Sequence, residues 1–241
     1  MKKIIIDYRM RKIEKDFLIG LGYELIELEK SKDVYEEISA HPDIFCAKIG
    51  NALVVEPRSY DYLKSALSSD VTIYKGEGKL GEKYPQDIKY NICIVGNYAI
   101  HNFKYTDVAM LKLIEVKGYE KIDVSQGYAN CSIAIIDDNS VITSDKGIYN
   151  KLNGTGIEVL LIEPDDIKLL STSPKGKDGY SIKRGFIGGC ITRLGQNVFI
   201  SGDLNKLKSA EEIRIFIKKR NLNVIDFSGY DVVDYGGMVE I

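Results

Sequence analysis

Gly185-Phe186-Ile187-Gly188-Gly189-Cys190-Ile191-Thr192-Arg193-Leu194-Gly195-Gln196-Asn197-Val198-Phe199-Ile200-Ser201-Gly202-Asp203 is the stretch that decides the fold. Two short β-prone runs flank a glycine-led turn, the pattern of a β-hairpin. The spacing predicts a rising strand over 191–194, a turn at Gly195-Gln196-Asn197 and a returning strand over 198–201. Gly188 and Gly189 stand directly before Cys190. Paired glycines there point to positive φ or to a close approach by another part of the chain.

The same grammar recurs along the chain. Hairpins are expected at 44–55 across Gly50-Asn51, at 91–101 across Gly96-Asn97, and at 131–143 across Asp137-Asp138-Asn139. After each comes a helical pattern (58–67, 106–116, a short helix ending near Asn153, 206–220) and then one more strand (71–74, 121–124, 157–162, 224–227). Residues 32–40 read as a short helix. Residues 163–184, with Pro164, Pro174, Gly176 and Gly179, read as an insertion holding one small strand at 167–170. The C-terminus offers one more strand after Gly236-Gly237. The N-terminus supplies a strand at 4–7, a helix at 10–21 and a strand at 24–28. A repeat of roughly 40–60 residues is the range of propellers and related arrays. The expectation is therefore an α/β fold, a five-bladed ββαβ propeller closed by joining the N- and C-terminal strands. It would form a single domain over 1–241. The alternative is an ordinary α+β domain with unrelated hairpins.

Composition bounds the function classes. The net charge of −2 gives no electrostatic case for nucleic acid or an anionic membrane. No apolar run approaches the ~20 residues of a membrane span. The start, Met-Lys-Lys-Ile-Ile-Ile-Asp, is too short an apolar run for a signal peptide. Four cysteines, none in a C-x-x-C pair, and two histidines argue against a zinc site. A cytoplasmic protein with reduced thiols is expected, without metal or cofactor.

Four segments carry a resemblance: His41-Pro42-Asp43-Ile44, Ser125-Gln126-Gly127-Tyr128-Ala129-Asn130-Cys131-Ser132, Gly185-Phe186-Ile187-Gly188-Gly189 and Asp234-Tyr235-Gly236-Gly237. On these the chain resembles an uncharacterised family with the pentein fold. That fold is shared by arginine deiminases, dimethylarginine hydrolases and amidinotransferases. The resemblance implies a central pocket. In those enzymes a cysteine thiolate attacks a guanidinium carbon, a histidine shuttles protons and carboxylates grip the guanidinium nitrogens. Asp43 matches the acid of their Pro-Asp motif, but Cys46-Ala47-Lys48 stands where a later acid is expected. The Tyr128 to Cys131 region holds no histidine, and Met238-Val239-Glu240 follows Gly236-Gly237 where a cysteine is expected.

Two functional readings follow. In the first, Cys190 or Cys131 is a nucleophile, His41 its acid/base, and Asp43 and Asp234 are guanidinium acceptors. Asn130, Gly188, Gly189, Gly236 and Gly237 would line the pocket. In the second the protein is non-catalytic and binds a small guanidino-type ligand or a protein partner. The ribosome anti-association factors of archaea and eukaryotes resemble this architecture and are not enzymes. The missing signature cysteine and histidine favour this second reading. Each residue also has a plainer role open to it. Free cysteines are commonly small buried apolar residues, and Cys46 and Cys93 read as core. His41 can be a turn residue. His101 reads as a surface or capping residue, and Asp7, Asp145 and Asp203 as helix N-caps.

Overall fold

A computed structural model describes residues 2–67, 71–172 and 176–241. In chain order it holds β1 (Lys2–Asp7), α1 (Lys12–Gly20), β2 (Tyr23–Leu28), α2 (Pro42–Phe45), β3 (Cys46–Ile49), β4 (Ala52–Val55), α3 (Tyr60–Ala66) and β5 (Thr72–Lys75). There follow β6 (Cys93–Val95), β7 (Tyr98–His101), α4 (Val108–Lys117), β8 (Glu120–Asp123), α5 (Ala129–Ser132), β9 (Ile133–Asp137), β10 (Ser140–Thr143), α6 (Lys146–Leu152) and β11 (Glu158–Leu161). The chain closes with β12 (Lys168–Leu170), β13 (Tyr180–Arg184), β14 (Ile191–Leu194), β15 (Asn197–Ile200), α7 (Ala210–Lys218), β16 (Asn223–Ile225) and β17 (Val239–Glu240).

Five three-stranded sheets share one plan: an antiparallel pair, then a third strand parallel to the middle one. Four of them begin with a tight hairpin. Ile49 pairs with Ala52, Val95 with Tyr98, Asp137 with Ser140 and Leu194 with Asn197, so each turn has two residues. Gly50, Gly96 and Gly195 take φ near +60°, as such turns require. A helix then carries the chain back to the parallel third strand. The fifth sheet is built from both ends of the chain. Here β17 pairs antiparallel with β1, and β1 pairs parallel with β2. The middle strands are the most buried. All of Ala52–Val55 and Ser140–Thr143 lie inside, because both faces of such a strand are covered. Neighbouring sheets share aliphatic clusters: Ile5, Ile44, Leu53, Ala99 and Met110 belong to one of them.

The structure corrects several local expectations. Asn197 is already paired, so the turn of the deciding hairpin is Gly195-Gln196. Residues 32–40 form only a 3-10 turn at Glu36–Ile38, and 206–220 reduces to Ala210–Lys218 after a 3-10 turn at Leu204–Lys206. The insertion carries two paired strands, β12 and β13, rather than one. Its Pro174 lies outside the described residues. Asp145 and Asp203 do cap, accepting the Ile148 and Asn205 amides. Asp7 does not cap a helix. It is buried and takes the Arg9 guanidinium on both oxygens. His101 is also buried, with Nδ1 2.6 Å from Thr106 Oγ1. Burial pushes its pKa down to about 4.

Candidate functional site

The residues before the hairpins converge. A single helical turn, α2, is opened by Pro42, whose fixed φ suits the first helical position. It turns the buried Asp43 inward, and the Asp43 amide donates to Gly236 O. A second such turn, α5, presents Asn130 and Cys131. Between them lies Asn91, which stitches the two together. Its Oδ1 accepts from the Asn130 and Cys131 amides at 2.9 and 3.2 Å. Its Nδ2 donates to Asp43 O and to Cys131 Sγ, both at 3.1 Å. Cys131 then donates its thiol proton to Asp43 Oδ2 at 2.8 Å, and Asn130 Nδ2 reaches the same oxygen at 3.4 Å. Asp43 Oδ1 accepts no hydrogen bond among the described residues. Asn91 was not singled out from sequence. Its signal was its place at the start of the second unit, comparable to Asp43 and Asn130 in theirs.

Asp234 anchors the other side. Its oxygens accept from the Phe186 and Gly236 amides, each at 2.8 Å. Gly189 lies against this carboxylate so closely that a Cβ would overlap Asp234 Oδ1. Gly188 is pressed onto the backbone of 130–133 in the same way. The glycine pair is thus a close-approach feature, and neither member takes positive φ. Gly236 does take φ +72°, with His41 and Asp43 filling the place of its side chain.

His41 is buried with the acids but bonds to none of them. Its Nε2 is 3.9 Å from Asp7 Oδ2 and its Nδ1 is 3.7 Å from Asp234 Oδ1, beyond hydrogen-bond reach. Burial, with the Arg9 charge, pushes its pKa well down, so the ring is neutral. Its close acidic neighbours are Asp7 and Asp234, and no hydrogen bond joins it to a cysteine. Burial raises Asp43 to about 6, partly offset by hydrogen bonds from Cys131, Asn130 and Asn91. Burial and the nearby Asp43 charge raise Asp234 to about 7. Cys131 is pushed well above an ordinary thiol by burial and by Asp43. Cys190 is raised too, chiefly by burial. It feels the Asp234 charge, but its thiol donates to Ile187 O and lies in the aliphatic cluster of Ile187, Ile191 and Ile200. The pocket-facing placement expected for Cys190 is thereby corrected. Its neighbour Gly189 supplies the contact to Asp234, and the thiol turns into the aliphatic layer.

Tyrosines cover one flank. Tyr128 donates to Asp87 Oδ2 at 2.6 Å, Tyr35 donates to Tyr128, and Phe186 packs on the Tyr128 ring at 5.9 Å. The β12–β13 hairpin reaches over them. Lys183 Nζ stands 4.1 Å above the Tyr35 ring, and Glu37 takes Ser181 Oγ and Lys183 Nζ at 2.7 and 3.3 Å. A second flank is hollow. A cleft of about 400 Å³ is lined by Asp43, Asn130, Lys48, Arg193 and Glu240 among others. It adjoins a hollow of about 200 Å³ that shares Asn130, Thr192 and Arg193 and adds Gly188 and Gly237. Among the described residues no group of three or more His, Cys, Asp or Glu is placed to hold a metal ion. Among them, too, no helix is long and apolar enough to cross a membrane.

Comparison with known proteins gives a consistent picture of the fold. A family model described as "Family of unknown function (DUF6873)" matches residues 5–239. No curated protein sequence matches. Among solved structures, a mutant DDAH from Pseudomonas aeruginosa complexed with citrulline superposes with TM-score 0.58 at 10% identity, over 100% of this chain and 99% of that one. A C. jejuni agmatine deiminase gives 0.56 at 10% identity, over 99% and 92%. At that identity the likeness shows the fold alone, an α/β fold of the pentein type.

Proposed function

The chain belongs to the family of unknown function DUF6873, and from that premise we propose that it is a non-catalytic pentein that binds a small ligand in the cleft over Asp43 and Asn130. The five like-ordered sheets are read as the five blades of one closed ring, a single domain over 1–241, fastened where β17 meets β1. No nucleic-acid or membrane partner is invoked.

One observation carries the reading. The Cys131 thiol is spent as a hydrogen-bond donor to Asp43, while His41 faces Asp7 and Asp234. A cysteine nucleophile works as a thiolate, and burial beside a carboxylate disfavours that anion. Asp43 and Asn130 border the cleft, with the Asn130 amide against Asp43 Oδ2, so that edge suits a cationic or donor-rich head group such as a guanidinium. The solved relative that carries citrulline makes a ligand of that size reasonable.

The test is labelling with chloroacetamidine, with iodoacetamide as the neutral control, followed by intact-mass analysis. We expect slow labelling without preference for the amidine. Calorimetry at pH 8 should show butylguanidine binding to wild type and not to Asp43→Asn. Fast, amidine-selective modification of Cys131 that disappears in Cys131→Ala would instead establish the alternative, a guanidino-modifying enzyme with a rearranged site.

A further inference from the structure

We propose that a separate hollow, between the 77–89 loop and the start of α4, binds a phosphate monoester that carries a flat ring, the chemistry of a nucleoside monophosphate, with the phosphate on Lys89 and Lys104 and the ring against Tyr105. This hollow shares no lining residue with the cleft over Asp43, and the proposal does not depend on what that cleft binds.

The hollow measures about 460 Å³, within the ~300–1,000 Å³ of small-molecule sites. Its wall carries two cations, Lys89 and Lys104, and two acids, Glu77 and Asp107. The acids are engaged elsewhere. Asp107 Oδ1 accepts the Ala109 amide at 2.9 Å. Its Oδ2 accepts the Glu77 and Gly78 amides at 3.0 and 2.6 Å, with the Tyr90 hydroxyl 3.1 Å away. Glu77 Oε1 takes Lys112 Nζ at 2.9 Å. Lys89 is half-buried, yet it has no hydrogen bond or ion pair among the described residues. An ammonium drawn partly out of water without a counter-charge is costly, and an anion in the hollow offsets that cost. Gly78 makes room for this side chain, since a Cβ there would stand 2.9 Å from Lys89 Cδ.

The wall also sets the class of anion. Ammonium groups are compact point charges that suit a tetrahedral phosphate, whereas a planar carboxylate favours the guanidinium fork. A phosphate monoester carries about −1.5 to −2 near pH 7, the charge that two lysines balance. Beside the cations the wall is apolar, with Tyr105 and Pro85. The Tyr105 ring is held on two sides. Lys104 Nζ stands 5.3 Å from its centroid, and Tyr84 packs edge-on at 6.4 Å. A cation and a steadied aromatic ring are thus neighbours, as the anion and the flat ring are in the ligand. A bare phosphate would leave most of the hollow unfilled.

Calorimetry at pH 7.5 tests this with adenosine 5′-monophosphate, adenosine and inorganic phosphate as probes. We expect the nucleotide to bind wild type at least about tenfold tighter than either fragment. In Lys89→Gln its affinity should fall about tenfold, while Lys89→Arg, which keeps the charge, should retain most of it. Tyr105→Ala should bring the nucleotide down to the level of inorganic phosphate. If Lys89→Gln loses its melting transition, Lys104→Gln, at an exposed position, carries the same expectation. No nucleotide binding to wild type, or equal binding to wild type and both glutamine variants, would overturn the site. Inorganic phosphate binding as tightly as the nucleotide would overturn the requirement for a ring. Loss of binding in Arg193→Gln, with Lys89→Gln unaffected, would move the nucleotide to the cleft over Asp43 and overturn the proposal.

Discussion

Cys131 gives its thiol proton to Asp43 across 2.8 Å, and both residues are buried. The pair is a structural joint between the first and third units. Removing the donor leaves a buried carboxylate oxygen short of a partner, which costs about 1–3 kcal/mol. Cys131→Ala should lower the unfolding free energy by that amount in urea titration, and Cys131→Ser, which keeps a donor, by less. An unchanged midpoint for the alanine variant would dismiss the joint.

Asp234 gives the pH signature. Its folded pKa is raised to about 7, while an unfolded aspartate titrates near ~4. Between those values the folded state holds a proton that the unfolded state has lost. Its contribution to stability is therefore full below about pH 4 and is lost as pH rises through about 7. His41 has the opposite sign. Its folded pKa is depressed, so its contribution is lost as pH falls below the usual ~6.5. Subtracting the Asp234→Asn curve from wild type removes the histidine part. That difference, measured by denaturant unfolding, should shrink steadily from pH 4 to pH 7. A flat difference would show that Asp234 is ionised throughout.

Position 189 is kept a glycine by the close approach of Asp234. A methyl group there meets a carboxylate pinned by two amides, which has nowhere to go. Gly189→Ala should cost more than about 4 kcal/mol or abolish folding. Gly20 is the control, with open space around it near the end of α1. Gly20→Ala should stabilise by about 0.5–1 kcal/mol. Thermal unfolding of the two variants checks both.

The β12–β13 hairpin is tied to the core through Glu37, which holds Ser181 and Lys183. Glu37→Ala should speed amide exchange across Tyr180–Arg184 about tenfold and leave global unfolding nearly unchanged. Exchange that proceeds only through global unfolding would mean the hairpin is part of the main cooperative unit.

Much of this was legible in the sequence, for identifiable reasons. The turns at Gly50, Gly96 and Gly195 announce themselves by residue type, and an α/β fold of repeated units follows from their repetition, whereas its pentein type rests on the resemblance of the four quoted segments. Gly188 and Gly189 were legible as tight spots, though what presses on them was not. Asp43, Asn130 and Cys131 converge because α2 and α5 are single turns, too short to leave a period. Their bonds are made by Asn91, a residue whose type alone says nothing. His41 and Cys190 sit close to the right places in the chain, but the direction of a side chain is set by packing between units.

The pairing of β17 with β1 joins strands whose linked side chains, Lys2 and Glu240, are 238 residues apart. On the ribosome that distance is time. At about 5–20 residues per second, β1 waits roughly 12–48 s for its edge partner. Through that interval it exposes an unpaired, apolar strand edge, Ile4 to Ile6, of the kind that recruits other chains. The same late segment brings Asp234 and Gly236 to His41 and Asp43, so the acid cluster forms last. Nascent chains stalled shortly before β17 should therefore be the species most dependent on chaperones.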